Sequence, residues 1–163
     1  GPESLVIDAT RGRAYAHLWK GATLAIDLRA RTIVETWPNG CEGSRGIALD
    51  EARGFLFAGC AEGKLVVLDV AHGGKQLSSL RAGNGVDIID YSPSLAHAYL
   101  PGAKSATMAL IGVSPSGQLS LLDTVSTAQG AHCVAADAAG NAYVCDPSHG
   151  RLLAFHDGHP ASR

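Results

Sequence analysis

The sequence predicts an all-β chain of repeated four-stranded antiparallel sheets, and three observations lead to this prediction. The stretch from Ser44 to Leu80 holds four short apolar runs, GIALD, FLFAG, KLVVLDV and KQLSSL, separated by the turn-forming segments EARG, CAEG and AHGG. The same unit recurs along the chain, with the aromatic residue of its second strand at Tyr15, Phe57, Tyr99 and Tyr143, spaced by 42, 42 and 44 residues. The first strands close in step, at Asp8, Asp50, Ser92 and Asp137.

A period near 42 residues with four strands per unit is typical of β-propeller blades, which have ~40 to 50 residues each. We therefore predict one partial propeller domain over residues 1–163, with about four blades. The third strands follow the same period, and so do the fourth strands TIVETW, QLSSL and SLLDTV. The last blade is incomplete, because the chain after Phe155 reads HDGHPASR, which is too polar and short for a strand. The blades cover approximately residues 3–39, 44–82, 85–129 and 130–157.

The number of blades bears on how the ring closes. Propellers typically have ~4 to 8 blades, but the missing outer strand and the lack of a clear strand before Glu3 argue against four blades closing alone. An open blade exposes a sheet edge and an apolar face, which usually find another chain. We expect a second copy, or a missing propeller half, to complete the ring. A different interpretation is an engineered or truncated propeller fragment without activity of its own, suggested by the Gly-Pro start and the short last blade.

The segment SRGIALDEARGFLFAGCAEGKLVVLDVAHGGK resembles a blade of the YVTN-type bacterial β-propeller family, with a first strand ending in Asp and VLD in the third. The resemblance covers residues 3–157, although the second strands read AYAHL, FLFAGC, AYLPG and AYVCD where the family has YVTN. It implies a periplasmic or secreted binding module and no particular activity. The last blade, GNAYVCDPSHGRLLAFHD, also resembles NHL and gluconolactonase blades.

Composition narrows the classes of function. The 163 residues are 46% hydrophobic, which is enough to fill a core, and 20 glycines supply the turns. A net charge of −2 without a Lys/Arg cluster argues against nucleic-acid binding. No run of about 18 apolar residues is present, so we expect no membrane span. The sequence also lacks the phosphate-binding, serine-hydrolase and metalloprotease signatures G-x-x-x-x-G-K-[ST], G-x-S-x-G and H-E-x-x-H.

The best candidate for a binding site is the position just before the first strand of each blade, where a propeller opens its central channel. Five residues before each strand-closing residue, all four blades carry a charged or titratable side chain, at Glu3, Arg45, Asp87 and His132. We predict a polar site here, able to bind an anion, a metal or a partner. If Asp90 instead of Ser92 closes the first strand of blade 3, Gly85 replaces Asp87 in this set.

A purely structural interpretation competes with this site. In it, Glu3–Arg45 and Arg45–Asp87 are salt bridges that only hold neighbouring blades together.

Trp19 is a further candidate, because it lies in the HLWKG turn, which should lie on the same rim. Its ring either stacks on a ligand, lies in a subunit contact or packs locally.

The gluconolactonase resemblance implies a metal centre, because acidic residues before the first strands hold a divalent cation in that family. Glu3 and Asp87 occupy similar places and would suit Ca²⁺, whereas adding His132 favours Zn²⁺. Arg45 departs from that pattern but can hold a substrate carboxylate in a two-pronged grip. The alternative function is therefore a metal-dependent lactonase-like hydrolase with Asp87 or His132 as the base.

Four cysteines form a second set of candidates. Cys41 and Cys60 lie in segments that meet on one rim, so they can form a disulfide. Cys133 and Cys145 repeat this pattern less closely, because pairing Asp137 with Ala142 matches Cys133 with Asp146 and turns Cys145 to the opposite face. A zinc site made of His132, Cys133, Cys145 and His149 is disfavoured by the wide spacing of the two cysteines, and because His132 and Cys133 are adjacent in a strand and face opposite ways. The even number of cysteines fits an oxidising compartment.

Overall fold

The computed structural model describes residues 1–162 and contains four antiparallel sheets with the strand orders β1-β2-β3-β4, β5-β6-β7-β8, β9-β10-β11-β12 and β13-β14-β15. Each sheet is one blade, and the predicted partial four-blade propeller is confirmed. Blade 1 comprises β1 (Pro2–Asp8), β2 (Arg13–Leu18), β3 (Ala22–Asp27) and β4 (Thr32–Pro38). Blade 2 comprises β5 (Ser44–Asp50), β6 (Phe55–Cys60), β7 (Lys64–Asp69) and β8 (Lys75–Arg81), with a short 3-10 helix at Val70–His72. Blade 3 comprises β9 (Asp90–Ser92), β10 (His97–Gly102), β11 (Thr107–Val113) and β12 (Leu119–Ser126), and blade 4 comprises β13 (Val134–Ala136), β14 (Asn141–Asp146) and β15 (Arg151–His156).

Strand register follows from the alternation of side chains across each pleated sheet. In blade 2, Phe57 pairs with Ala48 on one side and Val67 on the other, so these three side chains share one face. The first hairpin of each of the first three blades has the same length, since Ser92 lies opposite His97 just as Asp8 lies opposite Arg13. Ser92 therefore closes the first strand of blade 3, and Asp87 keeps its predicted place in the sequence repeat.

The apolar core lies between neighbouring blades and not within them. One cluster joins Tyr15 and Trp37 of blade 1 to Leu56 and Leu68 of blade 2. Trp37 packs against Tyr15, with ring centroids 5.5 Å apart. Its ring also lies over the backbone of Gly74, where an added Cβ would come within 2.3 Å of it. Equivalent clusters join blade 2 to blade 3 and blade 3 to blade 4.

An arginine in the β5–β6 turn ties blade 2 to blade 3. Arg53 Nε donates to Asp50 at 2.6 Å, while Arg53 Nη1 donates to the blade 3 carbonyls of Val113 and Ser114 at 3.2 and 3.0 Å. The Tyr91 hydroxyl donates to the same carboxylate at 2.7 Å. Burial alone raises the pKa of Asp50, but the hydrogen bonds from Tyr91 and Arg53 outweigh it and lower the pKa below its usual value. Arg11, the repeat equivalent of Arg53, likewise donates to its own strand-closing carboxylate, Asp8, and to a carbonyl of the next blade, that of Glu51.

The segment after β15 binds back onto blade 3. Asp157 is buried, and its Oδ2 accepts hydrogen bonds from His97 Nδ1 and the Tyr99 hydroxyl, both at 2.8 Å. Farther along, the Ser162 amide donates to the Leu95 carbonyl at 2.8 Å. The carboxylate that the Tyr99 hydroxyl contacts is thus supplied by the end of blade 4, since Ser92 stands where other blades have Asp.

The four blades form an open arc. The first strands of neighbouring blades contact one another in the order β1, β5, β9, β13, as expected of strands that line a common channel. Within residues 1–162, blade 1 packs on blade 2 and blade 4 on blade 3, and no apolar cluster joins blade 4 to blade 1. In this part of the chain, no helix has the length and apolar character needed to cross a membrane.

Candidate functional site

The predicted blade-start positions follow one another along one rim. The Ser4 hydroxyl, next to Glu3, donates to the Arg45 carbonyl at 2.8 Å. The next residue, Gly46, lies so close to the Asp87 carbonyl that an added Cβ would be 2.4 Å from its oxygen. The Ile88 amide donates to the His132 carbonyl at 3.0 Å. The backbone therefore places these four positions side by side, blade after blade.

Side-chain contacts bring three of the five predicted site residues together. Trp19, half of whose surface is exposed, donates its indole N–H to the Glu3 carboxylate. On the other blade, the Arg45 guanidinium lies over the same indole, 4.6 Å from the ring centroid. Within residues 1–162, Arg45 forms no ion pair with Glu3 or Asp87, so the expectation of inter-blade salt bridges at these positions is wrong. Trp19 separates the two charges, and the resulting arrangement is a cation–π pair with an anchored indole.

A cleft of about 590 Å³ opens beside this indole between blades 1 and 2. Its walls combine the aromatic ring and a leucine side chain with two cations and one carboxylate. Such a mixture of apolar surface and a few charged groups is typical of sites for small polar ligands. The lining residues are Gly1, Leu18, Trp19, Lys20, Glu42, Gly43 and Arg45.

The loop of residues 40–43, of which Glu42 and Gly43 line the cleft, is fixed by hydrogen bonds to a carboxylate on the next hairpin. The backbone amides of Glu42 and Gly43 donate to the Glu62 carboxylate at 2.9 and 3.2 Å, and Lys64 lies 3.3 Å from the same group. Partial burial acts to raise the pKa of Glu62, but these hydrogen bonds lower it below its usual value, so the carboxylate is kept ionised. Sequence reasoning missed this support, because a carboxylate that binds backbone amides leaves no motif.

The first predicted cysteine pair, Cys41–Cys60, is at disulfide distance, with Cα atoms 5.2 Å apart. It joins the same loop to the end of β6. The donor atoms of Cys41, Cys60 and Glu62 lie within 4.8 Å of one another, but the disulfide leaves no thiol there to bind a metal.

The remaining two site residues, Asp87 and His132, are not drawn into this cluster. His132 is exposed, with Nδ1 2.7 Å from the Gly130 carbonyl, and Asp87 is partly buried in the loop before β9. In the described chain, Glu3, Asp87 and His132 do not form a group whose ligand atoms all lie within 4.8 Å. The metal centre and the hydrolase stay predictions from the sequence, without a convergent ligand set to support them.

The predicted register of blade 4 is wrong by one residue. Ala136, not Asp137, pairs with Ala142, so Cys133 and Cys145 are directly opposite and their Cα atoms are 5.5 Å apart. The physical reason is a shorter hairpin. Asp137 Oδ1 accepts the amides of Ala139 and Asn141, both at 2.9 Å, which closes the turn one residue earlier than in the other blades.

A second cleft, of about 670 Å³, follows the free edge of β15, on the side where the other blades have a fourth strand. At its rim the Asp146 carboxylate accepts hydrogen bonds from His149 and from Arg151, both at 2.9 Å. Hydrogen bonding by His149 lowers the pKa of Asp146, which partial burial acts to raise, and Arg151 lowers it further. These three residues satisfy one another, so they form a structural cluster at the edge of the blade.

We expect the purified, unreduced protein to contain no titratable thiol, because the Cα atoms of the two cysteine pairs are 5.2 and 5.5 Å apart, within the range of a disulfide. Alkylation under denaturing conditions, followed by mass spectrometry, should label no cysteine before reduction and all four after it. Peptide mapping should recover Cys41 linked to Cys60 and Cys133 linked to Cys145. Any other linkage would contradict the register of blades 2 and 4.

No protein-family model matches the sequence, and no curated protein matches it. Among solved structures, the chain is similar to hydrazine synthase of Kuenenia stuttgartiensis, with a TM-score of 0.77 and 14% identity over 96% of this chain and 49% of that one. It is also similar to a chain of the mitotic checkpoint complex, with a TM-score of 0.81 and 13% identity, again over 96% of this chain and 49% of the other. The chain thus spans about half the length of both structures. At these identities the likeness shows the fold alone, a β-propeller, and membership of the YVTN-type family stays a prediction.

Proposed function

We propose that this protein is a β-propeller binding module that takes a polar ligand or partner at the channel mouth, in the cleft beside Trp19. The observation that carries the proposal is the half-exposed indole, fixed by Glu3 on one side and Arg45 on the other, at the wall of a 590 Å³ cleft. A large aromatic surface kept in contact with water and held in one orientation is well suited to binding, because little side-chain freedom is lost on association.

The charges of the cleft favour an anionic, planar ligand. Arg45 and Lys20 outnumber the one lining carboxylate, Glu42, and supply hydrogen-bond donors that match a ligand carboxylate. The Arg45 guanidinium covers one face of the Trp19 ring, so the opposite face is the surface on which a ligand would stack. Glu3 is already engaged by the indole N–H, so it orients the ring instead of facing the ligand. A carboxylate attached to a flat apolar body would satisfy both parts of the site.

The proposal is tested by following tryptophan fluorescence during titration with benzoate, used as a planar carboxylate probe. We expect a saturable change with a dissociation constant of about 1 mM or lower. Because Trp37 is buried, the Trp19→Phe variant provides a matched control that should lose the response. Arg45→Gln should weaken benzoate binding about tenfold or more, since hydrogen bonds to charged groups contribute ~1.5–3 kcal/mol.

Benzamidine, which has a similar shape and the opposite charge, should bind at least tenfold more weakly than benzoate. Equal responses to the two compounds, or a response that persists in Trp19→Phe, would overturn the site. Asp87→Asn and His132→Gln should leave benzoate binding unchanged, because neither residue lines the cleft.

The module is further proposed to act in the periplasm or outside the cell, and as part of a ring completed by another chain. Two cysteine pairs at disulfide distance support an oxidising compartment. The open arc of four blades supports completion of the ring, because both of its ends present apolar sheet faces.

A further inference from the structure

We infer that two copies of this chain close an eight-bladed ring head to tail, with blade 4 of each copy packing on blade 1 of the other. This inference specifies the ring completion proposed above and is independent of the ligand cleft. The repeat itself shows which kind of face each open end matches.

Every blade has two different faces. We call the face that carries the repeated aromatic residue the forward face, and the opposite one the backward face. At each of the three internal junctions, a forward face packs on the backward face of the next blade. The Tyr15 face packs on Leu56 and Ala58, the Phe57 face on Ala98 and Leu100, and the Tyr99 face on Ala142 and Val144.

The two open ends of the arc are one face of each kind. Blade 4 leaves its forward face open, with Tyr143 flanked by Ala135 and Ala154 in one row. Blade 1 leaves its backward face open, and there the register places Ile7, Ala14, Ile26 and Ile33 in one row across the four strands. The second row runs through Leu5, Ala16 and Leu24. The end of one copy therefore complements the beginning of the next.

Equivalent positions show that these faces are built for burial. Leu5 of blade 1 corresponds to Ile89 of blade 3 in the repeat, yet Leu5 is 58% exposed and Ile89 only 4%. Leu152 of blade 4 corresponds to Leu65 of blade 2, and their exposures are 67% and 0%. In both comparisons, an apolar residue at the same repeat position is covered where a neighbouring blade is present and exposed where none is. A further blade would cover Leu5 and Leu152 in the same way.

An internal junction also predicts which atoms would meet. At the junction of blades 2 and 3, Gly59 lies against Ile89, since an added Cβ would be 2.7 Å from Ile89 Cγ2. The repeat equivalents of these residues are Cys145 on the open face of blade 4 and Leu5 on that of blade 1. Leu152 pairs directly with Cys145 across β14 and β15, so Leu152 should lie next to Leu5 of the other copy.

Symmetry favours a second copy as the occupant. A head-to-tail contact uses two different surfaces, and such contacts close into a ring when the rotation between copies allows it. Two arcs of four blades give eight, at the upper end of the range of about 4–8 that is usual for propellers. The apolar rows named for the two faces are uncharged. Asp137, beside Tyr143 on the forward face of blade 4, already accepts hydrogen bonds from Asn141 and from the Tyr143 hydroxyl. The solved structures that the chain resembles are about twice its length.

The test is the solution mass by light scattering, together with charge substitutions on each open face. The wild-type protein should have twice the chain mass of 16.8 kDa. Leu5→Asp and Leu152→Asp should each weaken association at least about 100-fold, because every ring would contain the buried charge at both junctions. Leu121→Asp is the matched control. It replaces a leucine of blade 3 that is 51% exposed, away from both faces, and should leave the mass unchanged.

Head-to-tail order is tested separately with a short bis-maleimide cross-linker. The double variant Leu5→Cys/Leu152→Cys should give a covalent dimer, whereas either single variant should not, because like positions do not face each other. A monomeric wild type would overturn the inference, and so would open polymers. Dimers that survive both aspartate substitutions would overturn this interface while leaving completion of the ring by another surface in place. The benzoate titration can be run on monomers, so failure of the ring and failure of the ligand site are distinguishable.

Discussion

Replacing Asp157 by alanine is expected to cost about 2–5 kcal/mol of the free energy of unfolding, because two buried hydrogen-bond donors lose their acceptor at ~1–3 kcal/mol each. The carboxylate is almost fully buried and accepts hydrogen bonds from His97 Nδ1 and the Tyr99 hydroxyl, both at 2.8 Å. A third hydrogen bond comes from the His159 amide at 3.0 Å. Without the carboxylate, two buried donors of blade 3 lose their partner, and blade 4 loses its attachment through the chain end.

Urea denaturation of the wild type and of Asp157→Ala measures this effect. The matched control is Asp123→Ala in the same region, because Asp123 is largely exposed and its distance to His159 is 3.5 Å. That substitution should change the free energy of unfolding by less than about 0.5 kcal/mol. If the free energy of unfolding falls by the same small amount in both variants, the Asp157 carboxylate does not stabilise the contact between blades 3 and 4.

The Asp157 carboxylate should also make the stability of the fold depend on pH at low pH. Burial raises the pKa of Asp157, but the hydrogen bonds from His97, the His159 amide and Tyr99 outweigh it, and the pKa is lowered. A carboxyl group whose pKa is lower in the folded state contributes stability above its unfolded pKa of about 3.9, and this contribution is lost as the pH falls through the folded value. Asp157 therefore adds to acid denaturation only below about pH 4.

The role of Asp157 shows where sequence analysis stops. The repeat identified four blades and their strands, because apolar alternation and turn residues recur every 42 residues. The segment after Phe155 has no such pattern and reads as a polar end. One signal was present, since Ser92 stands where three blades have a strand-closing Asp. The tyrosine of blade 3 therefore lacks the carboxylate that Asp8 offers to Tyr15 in blade 1, but the sequence does not show which carboxylate the fold supplies instead.

The rim site was predictable to a similar degree. Counting back from the strand ends found Glu3 and Arg45, and the turn placed Trp19 on the same rim. What the sequence did not show is that Trp19 lies between the two charges, because this depends on side-chain directions in two different blades. The length of the first hairpin of blade 4 was the other feature that the sequence did not predict. Its turn is one residue shorter than in the other blades, so Cys145 points to the face opposite the predicted one, and the hydrogen bonds of Asp137 show why.

The second large effect is expected at His17, which lies at the end of β2 and is completely buried. Its Nδ1 is 2.9 Å from the Thr23 hydroxyl and its Nε2 is 3.4 Å from the Phe57 carbonyl, so its partners are uncharged. Burial lowers the pKa of His17 from 6.5 to about 4, although the hydrogen bond to Phe57 acts in the opposite direction. The imidazole is consequently neutral in the folded protein at every pH above about 4.

The sign of the pH dependence follows from proton binding. Between pH 6.5 and about 4, the unfolded chain carries a proton on His17 and the folded chain does not, so acid favours unfolding. Stability from this group is fully present above pH 6.5 and declines by about 1.4 kcal/mol per pH unit below it. The total loss by pH 4 is about 3 kcal/mol, and it occurs at higher pH than the loss due to Asp157.

Urea denaturation at several pH values between 7.5 and 4 separates this contribution from the rest. His17→Gln keeps polar atoms near Thr23 but cannot titrate, so the difference in stability between wild type and variant should shrink as the pH falls. His72→Gln, at a site where the side chain is 72% exposed, should follow the wild-type curve. Parallel curves for wild type and His17→Gln would mean that His17 binds protons equally in the folded and unfolded states, and they would contradict the lowered pKa.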